Sequence, residues 1–596
     1  MTAPPAGIRA RILASRPDGA LVGGLLLILL QTIVRAPIVF GSYYWHDDFR
    51  HLQLARTLGL SHDFLVRDYG GHVEVGQYLL YWLVGRDGGL SYAPAATSLL
   101  VLQLVASCLL LAVLRTLLGR SPWVLVPFAG YLFTPLGLTV ATWWAAGLQA
   151  MPLQIAMLLA LLGLVLAVRR RSWRWIVVSV LAHALGLFFW EKAVLVLPTL
   201  VAVLLLVEWG RQPVARRLRA LRTHWRFLAP HVVLLAGYLA AYLSVVGDAP
   251  VRGAAAHDVA RHTGESVFRM LLPGIFGGPW SEEGAVSTVY PYVGNALATV
   301  FTVLFLAVVA GGVWLRGFGS LQAWVLVVGY VAVDLALLQT GRAELIGILS
   351  RDPRYVTDAL PVIAIGFCAA FAGPRVHRRA PGWLPQVVAA GNSPLGAVAV
   401  LVSSCLLTSF LVDGVLEHDY SRNYVRTLVA NLEADPDVSV VATPVPETIS
   451  VSTDHEGLLT AVGQARAFDQ PSTDMRILDG LADLRPVTVV GPTLSATGPV
   501  ADCGWQVAGA WEPLGRVPAT DTAPQILRLG YLTGQEAVLR VSVGGYEQAV
   551  ALPVGVGYAT FVVTGRSGEV RARVTDVASG GICVTDVTAG SPWPAD

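Results

Sequence analysis

Charge is scarce in this sequence. Asp, Glu, Lys and Arg make up 14% of its 596 residues, against roughly 25% in an ordinary soluble chain. With 54% hydrophobic residues and a mean hydropathy of +0.60, a purely soluble enzyme is excluded. Lysine is scarcer still: Lys192 is the single one among 42 basic residues. So strong an arginine bias reflects genome composition rather than function, and it gives the one exception weight. Of five cysteines, Cys108, Cys368 and Cys405 lie in apolar runs and Cys503 and Cys583 in a polar tail, with no CxxC and no Cys/His cluster. That spacing excludes a zinc or redox motif.

Long apolar runs, by contrast, recur from Leu21 to about Val412, and the composition then turns polar. From Leu416 onward 21 acidic residues face 11 arginines, so the tail is acidic and the apolar region basic. The basic excess sits in short loops between apolar segments, which speaks against nucleic-acid binding. Hydropathy places eleven spans at roughly 20–41, 94–118, 122–142, 147–168, 174–190, 193–208, 227–247, 292–315, 320–338, 356–373 and 393–414. The first is too long for a signal-peptide core and reads as a retained helix. With residues 1–19 cytoplasmic, 19 arginines fall in short inside loops, as the positive-inside rule requires. Loops 41–93, 247–291 and 339–355 and the whole tail are then extracytoplasmic, on a plasma membrane.

The expected fold is thus a mainly α polytopic membrane protein with about 11 transmembrane helices over 20–415 and a β-rich external tail. Loop 41–93 reads as two amphipathic helices carrying Phe49, Leu52, Leu54 and Leu58, then Val75, Tyr78, Leu79, Trp82 and Leu83. Gly/Pro-rich stretches from Pro273 to Gly284 suggest a mobile lid or lipid-contact loop. In the tail, 416–497 reads as an α/β linker subdomain that opens on a helix near Tyr420 to Leu432. Residues 498–596 read as a β-sandwich, with strand-like runs at 537–543, 560–564, 570–574 and 582–586. On the oxidising side of the membrane, Cys503 and Cys583 are expected to form a disulfide tying the two edge strands.

Chemistry-bearing residues cluster on the outside face. Asp47 and Asp48 follow the first span within Tyr43-Tyr44-Trp45-His46-Asp47-Asp48-Phe49. Adjacent carboxylates there suit proton acceptance from a hydroxyl, a divalent cation such as Mg²⁺ or Mn²⁺, or capping of the next helix through Asp47. Arg351, Arg354 and Tyr355 suit bidentate phosphate binding or an interfacial belt. Glu191 and Lys192 suit a mutual ion pair, or contact of Lys192 with a phosphate. His72 and Glu74 share a loop with the acidic pair and suit sugar or metal binding, or plain solvation. Trp143 and Trp144 suit interface anchoring or sugar stacking. His183 and Asp334 lie within spans, with no partner evident from sequence.

An acidic pair directly after the first span, some eleven spans and an external β domain together resemble the GT-C superfamily of integral membrane glycosyltransferases. Trp45-His46-Asp47-Asp48-Phe49, Gly70-Gly71-His72-Val73-Glu74, Trp143-Trp144-Ala145-Ala146, Phe189-Trp190-Glu191-Lys192 and Arg354-Tyr355 resemble actinobacterial members of that group. The resemblance implies transfer of a sugar from a polyprenyl phosphate or diphosphate to an extracytoplasmic glycan, lipid or protein acceptor, usually with inversion. By it, Asp47 or Asp48 is the catalytic carboxylate. Lys192, Arg351, Arg354 and Tyr355 would then meet the donor phosphate, and Trp45, His46, His72, Glu74, Trp143, Trp144 and Glu191 the substrates. The competing reading is an envelope lipid or polysaccharide transporter, or a carbohydrate-binding scaffold. It is disfavoured by the lack of an internal repeat and by charges gathered on one face.

Overall fold

A computed structural model describes residues 18–86, 90–246, 256–278, 280, 293–341, 346–372, 394–495, 498–518, 524–575 and 581–595. They divide into two compact units. The first holds the chain up to Tyr44, Leu58–Val84 and Ser91–Asp419; the second holds Trp45–Thr57, Gly85–Leu90 and Tyr420–Asp596. The acidic segment thus belongs to the same unit as the tail.

The first unit is helical, and its chemistry is that of a multi-pass membrane protein. Among the described residues seven helices are long and apolar enough to cross a bilayer: Gly19–Gly41, Ala93–Leu118, Trp144–Arg170, Trp225–Val246, Asn295–Arg316, Phe318–Gln339 and Pro394–Val412. Large apolar side chains such as Leu26, Ile33, Val233, Leu243 and Val303 stay exposed on them, the surface that lipid covers. The expected span 122–142 is a pair, Pro122–Phe133 and Pro135–Thr142, bent by 43°. The break falls at Thr134, whose ψ of 132° is the extended value that a following proline imposes. The other three expected spans are helical but short or irregular. Trp173–Phe189 has 17 residues, Glu191–Glu208 passes from 3₁₀ through α to π geometry, and Pro353–Ala370 begins as a 3₁₀ turn.

Trp144–Arg170 is buried on nearly every side. Its small residues allow this: a Cβ on Gly163 would lie 2.9 Å from the Trp175 carbonyl, so the backbone of Trp173–Phe189 packs directly against it. Of the expected lid, Pro273–Gly278 is instead fastened to Pro394–Leu416, with Thr408 Oγ1 donating to the Gly277 carbonyl at 2.5 Å and Ser404 Oγ to that of Phe276 at 3.0 Å. Residues 281–284 lie outside the described residues.

In the second unit a helix, Asp419–Ala434, precedes two sheets. The larger runs Ser439–Val440, Met475–Leu478, Leu484–Val490, Ile582–Pro594, Ile526–Thr533, Gly555–Val562, with Thr493–Ser495 and Trp505–Val507 also pairing to Ile582–Pro594. Strands on both sides of residue 498 therefore share one sheet. The smaller runs Glu512–Val517, Gly568–Thr575, Ala537–Val543, Tyr546–Leu552. Strict alternation in Ala537–Val543 turns Leu539, Val541 and Val543 into a core shared with Leu529, Phe561, Val570 and Val584.

Cys503 and Cys583 are disulfide-bonded across 80 residues, with Cα atoms 4.9 Å apart. The chain-entropy model assigns such a loop about 4 kcal/mol of stabilisation. The expectation that it joins two edge strands needs correction. Ile582–Pro594 lies inside the larger sheet, between Leu484–Val490 and Ile526–Thr533, so the bond ties the turn before the short Trp505–Val507 strand to a central strand.

Candidate functional site

Helix Asp47–Leu58 begins at the acidic pair, and the two carboxylates differ from the first turn onward. Asp48 is fully buried; its Oδ2 accepts the Trp45 N–H at 3.0 Å, while its own N–H donates to the Trp45 carbonyl at 3.0 Å. This reciprocal closure satisfies donors that a helix start leaves without intrahelical partners. Asp48 thus closes the turn that leads into the helix, and Asp47 is part-exposed at the helix's first position. Between Trp45 and the helix, His46 takes a φ of +45°, a left-handed geometry costing a non-glycine residue on the order of 1 kcal/mol. Neighbouring residues of the same unit hold it there. The His46 N–H donates to the Ile449 carbonyl at 2.8 Å, Ser450 Oγ to the His46 carbonyl at 3.2 Å, and Trp45 Nε1 to the Thr448 carbonyl at 2.7 Å. Trp45 is enclosed at 2% exposure, so its ring is a packing element here and not a sugar platform.

Within the first unit the arginine segment is a compact assembly. Arg354 pairs through Nε with Asp352 at 2.8 Å, donates from Nη2 to Tyr355 Oη at 2.7 Å, and lies 4.3 Å from the Trp143 ring and 4.6 Å from the Tyr355 ring. Burial raises the Asp352 carboxyl above its usual range, and the adjacent Arg354 opposes that rise. Arg351 faces Glu265 at 3.6 Å. Trp143 thus supports a guanidinium. Trp144 is buried against Tyr81 at 4.3 Å with Nε1 donating to Ser98 at 3.0 Å, which fits neither interface anchoring nor stacking on a sugar.

Glu191 and Lys192 do not pair with each other. The ammonium of Lys192 donates to the Tyr355 carbonyl at 3.0 Å and to Asp358 at 2.9 Å, and forms an ion pair with Asp334. Tyr330 Oη donates to the other Asp358 oxygen at 2.8 Å. Two of the ammonium's three protons are engaged by these hydrogen bonds, with the Asp334 carboxylate alongside as a counter-ion. The expected direct contact of Lys192 with a phosphate does not suit this arrangement; Lys192 holds the backbone that carries Arg354 and Tyr355. Asp334 has found its partner, and Asp352, Asp358 and Tyr330 join the site without having been singled out by sequence. The available signal was that an ionisable residue inside an apolar span is costly unless partnered.

Glu191 instead meets the first loop. His72 Nδ1 is 2.6 Å from Glu191 Oε1 and 3.9 Å from Glu74 Oε1, and Gln149 Nε2 donates to Glu74 Oε1 at 2.7 Å. The turn Tyr69–His72 that presents these groups uses left-handed Gly70 and Gly71, and Tyr242 Oη donates to the Gly71 carbonyl at 2.5 Å. In all, His72 joins Glu74 and Glu191, Lys192 joins the Arg354–Tyr355 segment, and Trp45, His46, Asp47 and Asp48 are gathered in the second unit.

No family model matches the chain, and no curated protein matches it in sequence. Solved structures similar in fold include the following three. ArnT from Cupriavidus metallidurans is 14% identical with a TM-score of 0.43, over 75% of this chain and 86% of that one. The arabinofuranosyltransferase AftD from Mycobacteria is 12% identical with a TM-score of 0.38, over 96% of this chain and 60% of that one. The arabinosyltransferase EmbB from Mycobacterium smegmatis is 13% identical with a TM-score of 0.23, over 96% of this chain and 64% of that one. This chain therefore spans less than two thirds of the length of the latter two. Both are glycosyltransferases by name.

Proposed function

We propose that this protein is a GT-C-type membrane glycosyltransferase that moves a sugar from a polyprenyl-phosphate donor to an extracytoplasmic cell-envelope acceptor. The observation that carries this reading is the division of labour in the acidic pair. Asp48 is buried with its carboxylate on the Trp45 N–H, and Asp47 is the part-exposed carboxylate of the pair, next to a His46 held at positive φ. Strain retained at such a position is a mark of function. Asp47 takes the proton of the acceptor hydroxyl as its oxygen attacks the anomeric carbon. The bond from that carbon to the phosphate oxygen breaks, and the electron pair leaves with the lipid phosphate, giving inversion. Within the first unit, Arg354, its plane fixed against Trp143 and Tyr355, suits bidentate contact with a phosphate, with Arg351 as a second guanidinium. Lys192 is a positioning residue for that segment.

The test is transfer by purified protein from a panel of radiolabelled polyprenyl-phosphate sugars to envelope glycans. Asp47→Asn should lose about 10²- to 10⁴-fold in rate while still binding donor. Asp48→Asn should lose about 1 kcal/mol of stability and keep most of its turnover. Full activity in Asp47→Asn dismisses the assignment.

One observation favours the transporter reading. Lys192, Asp334 and Asp358 form a buried ionic cluster within the helical unit, as coupling sites in transporters do. Substrate-dependent proton flux in proteoliposomes, with no transfer from any donor, would select it.

A further inference from the structure

We propose that His72, Glu74 and Glu191 form a binding site for one divalent transition-metal cation of the zinc or manganese class. The cation would clamp the 69–74 turn to the segment after Trp190. The three residues come from two distant stretches of chain, yet their ligand atoms all lie within 4.8 Å of one another. Tetrahedral zinc with ligands about 2.0–2.1 Å away separates its ligand atoms by about 3.3–3.4 Å. The distances here, 2.6 Å from His72 to Glu191 and 3.9 Å from His72 to Glu74, fall on either side of that value, so shifts of well under about 1 Å in each would admit an ion.

Chemistry narrows the choice of ion. Two carboxylates and one neutral imidazole balance a divalent charge, and the imidazole disfavours magnesium and calcium, which prefer all-oxygen shells. The surroundings are those of a built site. Glu74 is 1% exposed, and Gln149 orients its carboxylate by donating to Oε1, the oxygen 3.9 Å from His72, as outer partners of metal ligands do. Two left-handed glycines and the hydrogen bond from Tyr242 hold the turn that presents His72 and Glu74. Arg67, on the same loop, lays its guanidinium against the Tyr69 and Tyr78 rings. This site is separate from the acidic pair at which the sequence placed a cation, and it stands whether or not the chain transfers sugar.

The test uses the full chain in nanodiscs, stripped with chelator, then titrated with zinc chloride or manganese chloride. Heat and metal content after gel filtration are the readouts. One equivalent of metal is expected, with at least tenfold weaker binding in Glu191→Gln and His72→Ala, and a 10- to 100-fold loss in Gln149→Ala. His72→Cys should keep zinc and lose manganese, because a thiolate is the softer ligand. This last variant separates loss of a ligand from loss of fold. Absence of stoichiometric binding by the folded chain overturns the proposal, as does equal binding by the wild type, Glu191→Gln and His72→Ala. Neither result touches the transferase reading, since activity is not measured.

Discussion

Lys192 shows how far single residues could be read. Its rarity was visible in the sequence, and so was its place between two apolar runs. Its partners were not, because Asp334 and Asp358 lie more than 140 residues away and only packing brings them to the ammonium. The acidic pair was legible as a motif, but which carboxylate caps the helix depends on the backbone at His46, where a non-glycine residue gives no warning of positive φ. The Lys192 cluster allows a double-variant test. Lys192→Met leaves two carboxylates buried without their cation and should cost about 3–5 kcal/mol, and the segment bearing Arg354 should lose order with it. Adding Asp334→Asn removes one of those charges and should recover a substantial part of the loss. Thermal unfolding of the detergent-solubilised chain measures both; equal melting of the wild type and Lys192→Met would show that the cluster does not support the fold.

At the scale of elements, period decided what could be seen. The alternation of residues 537–543 gives the observed strand residue for residue, whereas Ile526–Thr533 was missed because it is buried on both faces for much of its length and carries Gly530 at its centre. A Cβ there would lie 2.1 Å from Asp586 Oδ2 on the neighbouring strand, so any larger residue needs that side chain to turn away. Apolar runs of membrane length are legible with nearly correct bounds, and so are the shorter runs between 173 and 208, whose 3₁₀ and π turns are not. The helix Asp419–Ala434 has a pH dependence of its own. Tyr424 Oη donates to His455 Nε2 at 2.6 Å, and His455 Nδ1–H donates to the Thr443 carbonyl at 2.7 Å, so the buried ring is neutral. Burial pushes its pKa down from 6.5 to about 4. The folded value lies below the unfolded one, so this contribution is complete above pH 6.5 and is lost as pH falls towards 4, by up to about 3 kcal/mol. Glu456 and Asp469, raised by burial, act in the opposite direction. The effect is therefore read as a difference: hydrogen exchange of 419–434, corrected for intrinsic rate, should accelerate between pH 7 and 5 in the wild type. It should do so much less in His455→Gln, and identical profiles would contradict the assignment.

For the whole molecule the open question is orientation, and two independent features of the chain bear on it. Nineteen arginines in alternate short loops argue for a cytoplasmic N-terminus, and the bonded Cys503–Cys583 pair argues for a tail on an oxidising side. The transferase reading depends on both, because a lipid-phosphate sugar used outside the cytoplasm needs Asp47 on that face. Labelling with a membrane-impermeant maleimide tests them together. Cys108, Cys368 and Cys405 are free and must first be replaced by serine, while the disulfide is kept. Asp63 is a suitable reporter because its side chain is 89% exposed, whereas neighbouring Ser61 caps the short helix His62–Leu65 through Phe64 and should be spared. Arg216, exposed on helix Val214–Thr223, reports on the opposite side. In intact cells Asp63→Cys should label at once and Arg216→Cys only after permeabilisation. The reverse pattern would place the acidic pair in the cytoplasm, where the positive-inside argument, the disulfide's compartment and the proposed reaction would all fail at once.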